Sequence, residues 1–174
     1  MHTRIVLTLS LAASFARAQT RADWRVYGGN DENTHYSTLS QIAPANVAQL
    51  QVAWTYDTHD AFKGSEMQAN PIVIDGVLYA TSPKLRIFAL EAATGRELWS
   101  FDPNFGKPAP SRFRHRGVTV TGDRVLFTYR NKLWALDKRT GKPIPTFGDS
   151  GAVDLRNGFD RPAERITISA STAC

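Results

Sequence analysis

The 174-residue chain holds one cysteine, Cys174 at its last position, and only two methionines. A lone thiol forms no internal disulfide, so a disulfide scaffold is excluded, as is a cysteine-rich metal centre. Long hydrophobic runs are scarce as well. Beyond the N-terminal segment no stretch of about 18 uncharged apolar residues occurs, which excludes a polytopic helical membrane protein. Helical periodicity is nearly absent, and only Pro44 to Gln49 reads as a helical turn or two. The charge excess is small: 21 Lys and Arg against 16 Asp and Glu, a formal +5. It is no nucleic-acid footprint. What the chain does have is 42% hydrophobic and 10% aromatic residues, too many for a disordered chain and ordinary for a globular one.

Residues 1–18 read as a secretory signal peptide. Arg4 supplies the positive start, Ile5 to Phe15 an apolar run, and Ala16-Arg17-Ala18 a small-x-small cleavage pattern. The apolar run covers only about half of a bilayer core, too little for a transmembrane anchor. No cysteine follows the cleavage position, so lipid attachment is not expected there. Removal takes away two Arg and no acid, which lowers +5 to +3. The expected location is the periplasm.

An internal repeat sets the architecture. Ala89-Leu90-Glu91-Ala92-Ala93-Thr94-Gly95-Arg96 returns 46 residues later as Ala135-Leu136-Asp137-Lys138-Arg139-Thr140-Gly141-Lys142. Upstream, Ile72 to Tyr79 is matched by Val118 to Gly122 followed by Val125-Leu126-Phe127, with two extra residues expected in the second turn. A third echo pairs Ala53-Trp54-Thr55-Tyr56-Asp57 with Leu98-Trp99-Ser100-Phe101-Asp102. Each copy alternates β-branched runs with turn signals at Asp75-Gly76, Thr121-Gly122, Thr94-Gly95 and Thr140-Gly141. Four short strands in about 45 residues is the pattern of a β-propeller blade. The reading is therefore all-β: a lead-in at 19–49, blades at about 50–102 and 103–149, and the start of another at 150–174, where Ile166 to Ser169 looks strand-like. Propellers close with about 4–8 blades, so the chain is expected to be the N-terminal part of a longer protein.

These residues resemble the exported quinoprotein dehydrogenases that use pyrroloquinoline quinone, a family of eight-bladed propellers. The resemblance rests on Asp23 to Gly29, His35-Tyr36-Ser37, Gln41-Ile42, Asn46-Val47 and Leu50 to Tyr56. It continues through Asn70 to Tyr79 and the tryptophan-docking pattern of 89–99. In the second copy Pro145 stands where Trp99 stands in the first, so that dock is degenerate. Arg116-Gly117-Val118 and Lys142 to Asp149 look most like the glucose-dehydrogenase-type branch. The adjacent cysteines that the alcohol-oxidising branch carries before the Arg-Gly are missing from 110–115.

The cofactor is a planar tricarboxylate quinone, which calls for cations, hydrogen bonds and flat surfaces. Arg116 matches the family's cofactor-contacting arginine, and its guanidinium suits carboxylates. Gln68, three residues before Pro71, stands where the alcohol branch has a cofactor-binding Glu, with Glu66 two residues before it. Thr167 and Ser169 fall where hydroxyl donors to the quinone are expected, and His115 is a candidate for the site wall. Trp54 and Trp99 are repeat-related and belong to the blades rather than to the cofactor. The resemblance implies oxidation of a sugar or other alcohol, a calcium ion as Lewis acid, a carboxylate general base, and electron transfer to a membrane quinone or a cytochrome. The base and the calcium ligands are expected beyond residue 174. The competing reading is a non-enzymatic envelope propeller that binds protein partners.

Overall fold

The computed structural model describes residues 23–107, 114–168 and 170–171; the signal-peptide reading of 1–18 lies outside them. Eight strands form two four-stranded antiparallel sheets in simple up-and-down order. The first holds β1 (Ile72–Ile74), β2 (Val77–Thr81), β3 (Ile87–Glu91) and β4 (Glu97–Phe101). The second holds β5 (Thr119–Thr121), β6 (Arg124–Tyr129), β7 (Lys132–Asp137) and β8 (Ala152–Asp154). Helix is confined, among the described residues, to single 3-10 turns at Val47–Gln49 and Ala163–Arg165. The sheets are the two blades read from the repeat.

Turn chemistry sets the hairpins. Asp75 and Gly76 take φ of 53° and 77° between Ile74 and Val77, as a tight Asp-Gly turn requires. In the second sheet the turn is Gly122-Asp123, because Thr121 pairs with Arg124. The first hairpins are thus equally tight, and the two extra residues expected there do not occur. β6 is one residue longer than β2, and the following connection shrinks to Arg130-Asn131.

The fourth strands differ more. Leu136 bridges to Pro143, as Leu90 pairs with Glu97 one repeat earlier. Pro145 then falls at the Trp99 position and has no N–H for the ladder. The chain bulges out and returns at β8, where Ala152 pairs with Trp134. The second blade accordingly runs past the expected boundary at 149. Ile166 to Ile168 form no strand, contrary to the strand-like reading.

The sheets pack face to face. Ile72, Ile74, Tyr79, Ile87 and Ala89 of the first meet Val125, Phe127, Trp134 and Leu136 of the second in one buried cluster. Ala80, Phe88 and Leu90 point the other way, beneath Trp54 and Tyr56. β3 is buried on both sides, which is why its sequence is a continuous apolar run rather than an alternation. Burial also pushes the Tyr79 hydroxyl up to about 12.

One contact recurs from blade to blade. The Trp99 indole donates to the Lys138 carbonyl at 3.0 Å and lies flat over Gly141, where an added Cβ would stand 2.4 Å from the ring. Trp54 repeats this on the first blade: it donates to the Ala92 carbonyl at 3.1 Å and covers Gly95, with a Cβ clearance of 2.5 Å. Residues 53–57 thus sit on the first blade as β4 sits on the second. The Thr-Gly turns need glycine twice over, for positive φ (73° at Gly95, 67° at Gly141) and for the ring above.

Gly141 and Gly122 both have positive φ, but nothing lies within 4 Å of a Cβ at Gly122. Gly122→Ala should therefore cost only the backbone strain, about 1 kcal/mol. Gly141→Ala should cost at least about 3 kcal/mol, because the indole must also lift. Urea unfolding of both variants checks the difference.

Candidate functional site

The segments that lead into the first strands lie side by side. Asn70 N–H donates to the Arg116 carbonyl at 2.8 Å, and Arg116 N–H donates to the Ser171 carbonyl at 2.7 Å. The same donor-to-acceptor step joins 70 to 116 and 116 to 171, so the segments entering β1 and β5 and the segment at 170–171 form one backbone ladder. Gly117 makes the close approach possible. Its φ is +125°, and a Cβ there would lie 2.8 Å from the Asn70 carbonyl oxygen.

On this ladder Gln68, Glu66, Arg114 and Arg116 come together. Arg114 Nε donates to Glu66 at 2.5 Å, and Gln68 Nε2 donates to the other oxygen of the same carboxylate at 2.9 Å. Arg114 and then Gln68 hold the Glu66 carboxyl below the usual carboxylate range, with the Arg116 charge adding to them. Arg116 itself forms no ion pair among the described residues. Gln68 Oε1 is buried and accepts no hydrogen bond. The cluster can thus offer one cation and one empty acceptor to a ligand that carries both a carboxylate and a donor.

His115 is placed differently from the expectation of a site wall. It is 4% exposed. Its Nδ1 accepts the Gly117 N–H at 3.2 Å, which puts the proton on Nε2, 3.3 Å from Thr128 Oγ1. Thr128 in turn donates to the Ala170 carbonyl at 2.8 Å. Both ring nitrogens are used inside the chain, so His115 ties its own segment to Thr128 and, through it, to Ala170. Thr167 is exposed and borders a separate cavity of about 450 Å³ with Arg161 and Arg165. Ser169 lies outside the described residues.

Sequence reading missed the Glu66–Arg114 pair, Asn70 and Thr128. The 46-residue offset between Asn70 and Arg116 was the available signal for the ladder. Among the described residues no group of three or more His, Cys, Asp or Glu could hold a metal ion.

Docked four-stranded antiparallel sheets with this tryptophan contact are blades of a β-propeller. Residues 24–174 match the family model described as PQQ: glucose/ethanol/alcohol dehydrogenase, beta-propeller domain, and the chain belongs to that family. It is 39% identical over 127 residues to 1-butanol dehydrogenase (cytochrome c) of Thauera butanivorans, covering 70% of this chain and 18% of that one. It is 40% identical over 102 residues to the dehydrogenase subunit of a quinone alcohol dehydrogenase of Gluconobacter oxydans, covering 59% and 12%. Among solved structures, the quinohemoprotein alcohol dehydrogenase of Comamonas testosteroni superimposes with a TM-score of 0.66 at 27% identity, covering 85% of this chain and 21% of that one. The chain spans about an eighth to a fifth of the length of these relatives. Pyrroloquinoline quinone is the family's cofactor, and calcium is typical of it. These relatives are alcohol dehydrogenases, so the glucose-type branch read from 116–118 and 142–149 finds no support among them.

Burial holds the His115 ring below its ordinary value of 6.5. The folded latch uses the neutral ring, whereas the unfolded chain takes up a proton near 6.5. Stability present at neutral pH is therefore lost as pH falls below about 6.5. His115→Gln should remove this dependence between pH 7.5 and 5, as read from denaturation midpoints.

Proposed function

We propose that the chain is part of a pyrroloquinoline quinone-dependent dehydrogenase that oxidises a primary alcohol, and that its share of the work is to grip one edge of the cofactor. The observation that carries this is the pairing of Arg116, without an acid partner among the described residues, with the buried unpartnered Gln68 Oε1. Arg116 would hold a cofactor carboxylate, and Gln68 Oε1 would accept a hydrogen bond from a cofactor donor. Glu66 is occupied by Arg114 and Gln68, so it serves to orient them. The bound quinone would supply the two-electron acceptor.

His115 and Thr128 keep the adjacent segments in register, and Thr167 and Ser169 are proposed as hydroxyl donors. The base and calcium ligands would come from residues outside this chain. A cytochrome is the proposed electron acceptor, by likeness to relatives such as the butanol dehydrogenase. The periplasm is the proposed location, supported by the signal-like residues 1–18. The sugar reading is kept as the second one, because the segment before Arg116 lacks the paired cysteines of the alcohol branch.

The test uses the dehydrogenase that carries this chain, loaded with the quinone and calcium. Dye reduction should be fast with ethanol and 1-butanol and at least about tenfold slower with glucose; the reverse order would favour the sugar reading. Arg116→Ala should weaken quinone binding about tenfold or more, the scale of one lost charge-assisted contact. Unchanged quinone affinity would remove Arg116 from the site.

A further inference from the structure

A second cavity, of about 490 Å³, opens at the end of the second blade that also carries the lead-ins, but away from their ladder, at the β6–β7 turn. Its lining includes Lys107, Arg130 and Lys132 and no carboxylate side chain. None of the three cations forms an ion pair among the described residues. The walls are aromatic: Phe105, Tyr129 and Trp134. Lys132 Nζ lies 5.8 Å from the centre of the Trp134 ring, and the Arg130 guanidinium lies 5.4 Å from that of Tyr129.

Two further features mark this place. Trp134 Nε1 is buried and has no hydrogen-bond partner, and a buried donor left unpaired is costly. Phe105 and Arg130, both in the cavity lining, adopt left-handed backbone, with φ of 50° and 53°. Arg130 does so at the first position of a two-residue hairpin turn, where glycine is the usual occupant.

We propose that this cavity binds a small organic carboxylate with a flat apolar body. Arg130 and Lys132 would pair with the carboxylate, since a guanidinium fork and an ammonium both favour it. The exposed ring of Phe105, which packs on Trp134 with centroids 5.9 Å apart, would lie against one face of the body. The site draws on none of the residues assigned above to the quinone, so it stands or falls apart from that assignment.

Benzoate, acetate and inorganic phosphate serve as probes, titrated into the full chain by calorimetry. Benzoate should bind saturably with one site per chain, and acetate about tenfold or more weaker for want of the flat body. The Arg130→Ala, Lys132→Ala double variant should weaken benzoate about tenfold or more, while Lys142→Ala, an exposed charge in the opposite-end Thr-Gly turn, should leave it unchanged. Near-ultraviolet dichroism confirms that both variants keep the native aromatic packing, since the substituted side chains lie outside the buried core. Absence of saturable benzoate binding overturns the site, as does an equal loss in Lys142→Ala. Phosphate or acetate binding as tightly as benzoate overturns the flat-body assignment.

Discussion

The structure depends on an indole laid across a glycine. Trp99 leaves the last strand of one blade and closes over the Thr140-Gly141 turn of the next, with its N–H on the Lys138 carbonyl. An aromatic ring of this kind buries on the order of 200 Å², and its single polar atom is satisfied in the same contact. Because the turn needs glycine for its φ, the bare backbone face that receives the ring comes with the turn itself. Trp54 repeats the geometry on the first blade. Blade spacing is therefore set at one place by tryptophan, and at another by the backbone ladder from Asn70 to Arg116 to Ser171.

That double fastening explains where chemistry can be placed. The tryptophan dock holds the sheets at a constant separation, so the segments entering β1 and β5 meet at hydrogen-bond distance. Gly117 lets them come that close, and the His115–Thr128–Ala170 latch ties the second of them to the segment at 170–171. Side chains on the ladder then face one another although they are far apart in sequence, as Glu66 and Arg114 do across 48 residues.

The parts legible in the sequence were those with strong local chemistry. Asp75-Gly76 announced a hairpin, the Ala-Leu-acid-x-x-Thr-Gly repeat announced the blades, and the Trp54–Trp99 echo announced the dock. The Thr121-Gly122 turn was misplaced by one residue, because either neighbour of Gly122 is a plausible turn residue and only the pairing of Thr121 with Arg124 decides between them. The second blade's last strand was hidden because Pro145 interrupts it and the chain resumes pairing only at Ala152. Arg116 and Gln68 were singled out through their resemblance to family positions, and the structure sets both beside Glu66. The role of His115 was not, since its partners Gly117 and Thr128 are ordinary residues whose meeting is a tertiary fact.

The most direct measurement is solvent exchange of the four indole N–H protons by NMR. The account predicts that the Trp54 and Trp99 protons exchange as slowly as the amides of β3 and β7, because the Trp99 proton is released only when the two blades separate and the Trp54 proton only when residues 53–57 leave the first blade. A Trp99 indole proton that exchanges freely while the strand amides of both sheets remain protected would contradict it.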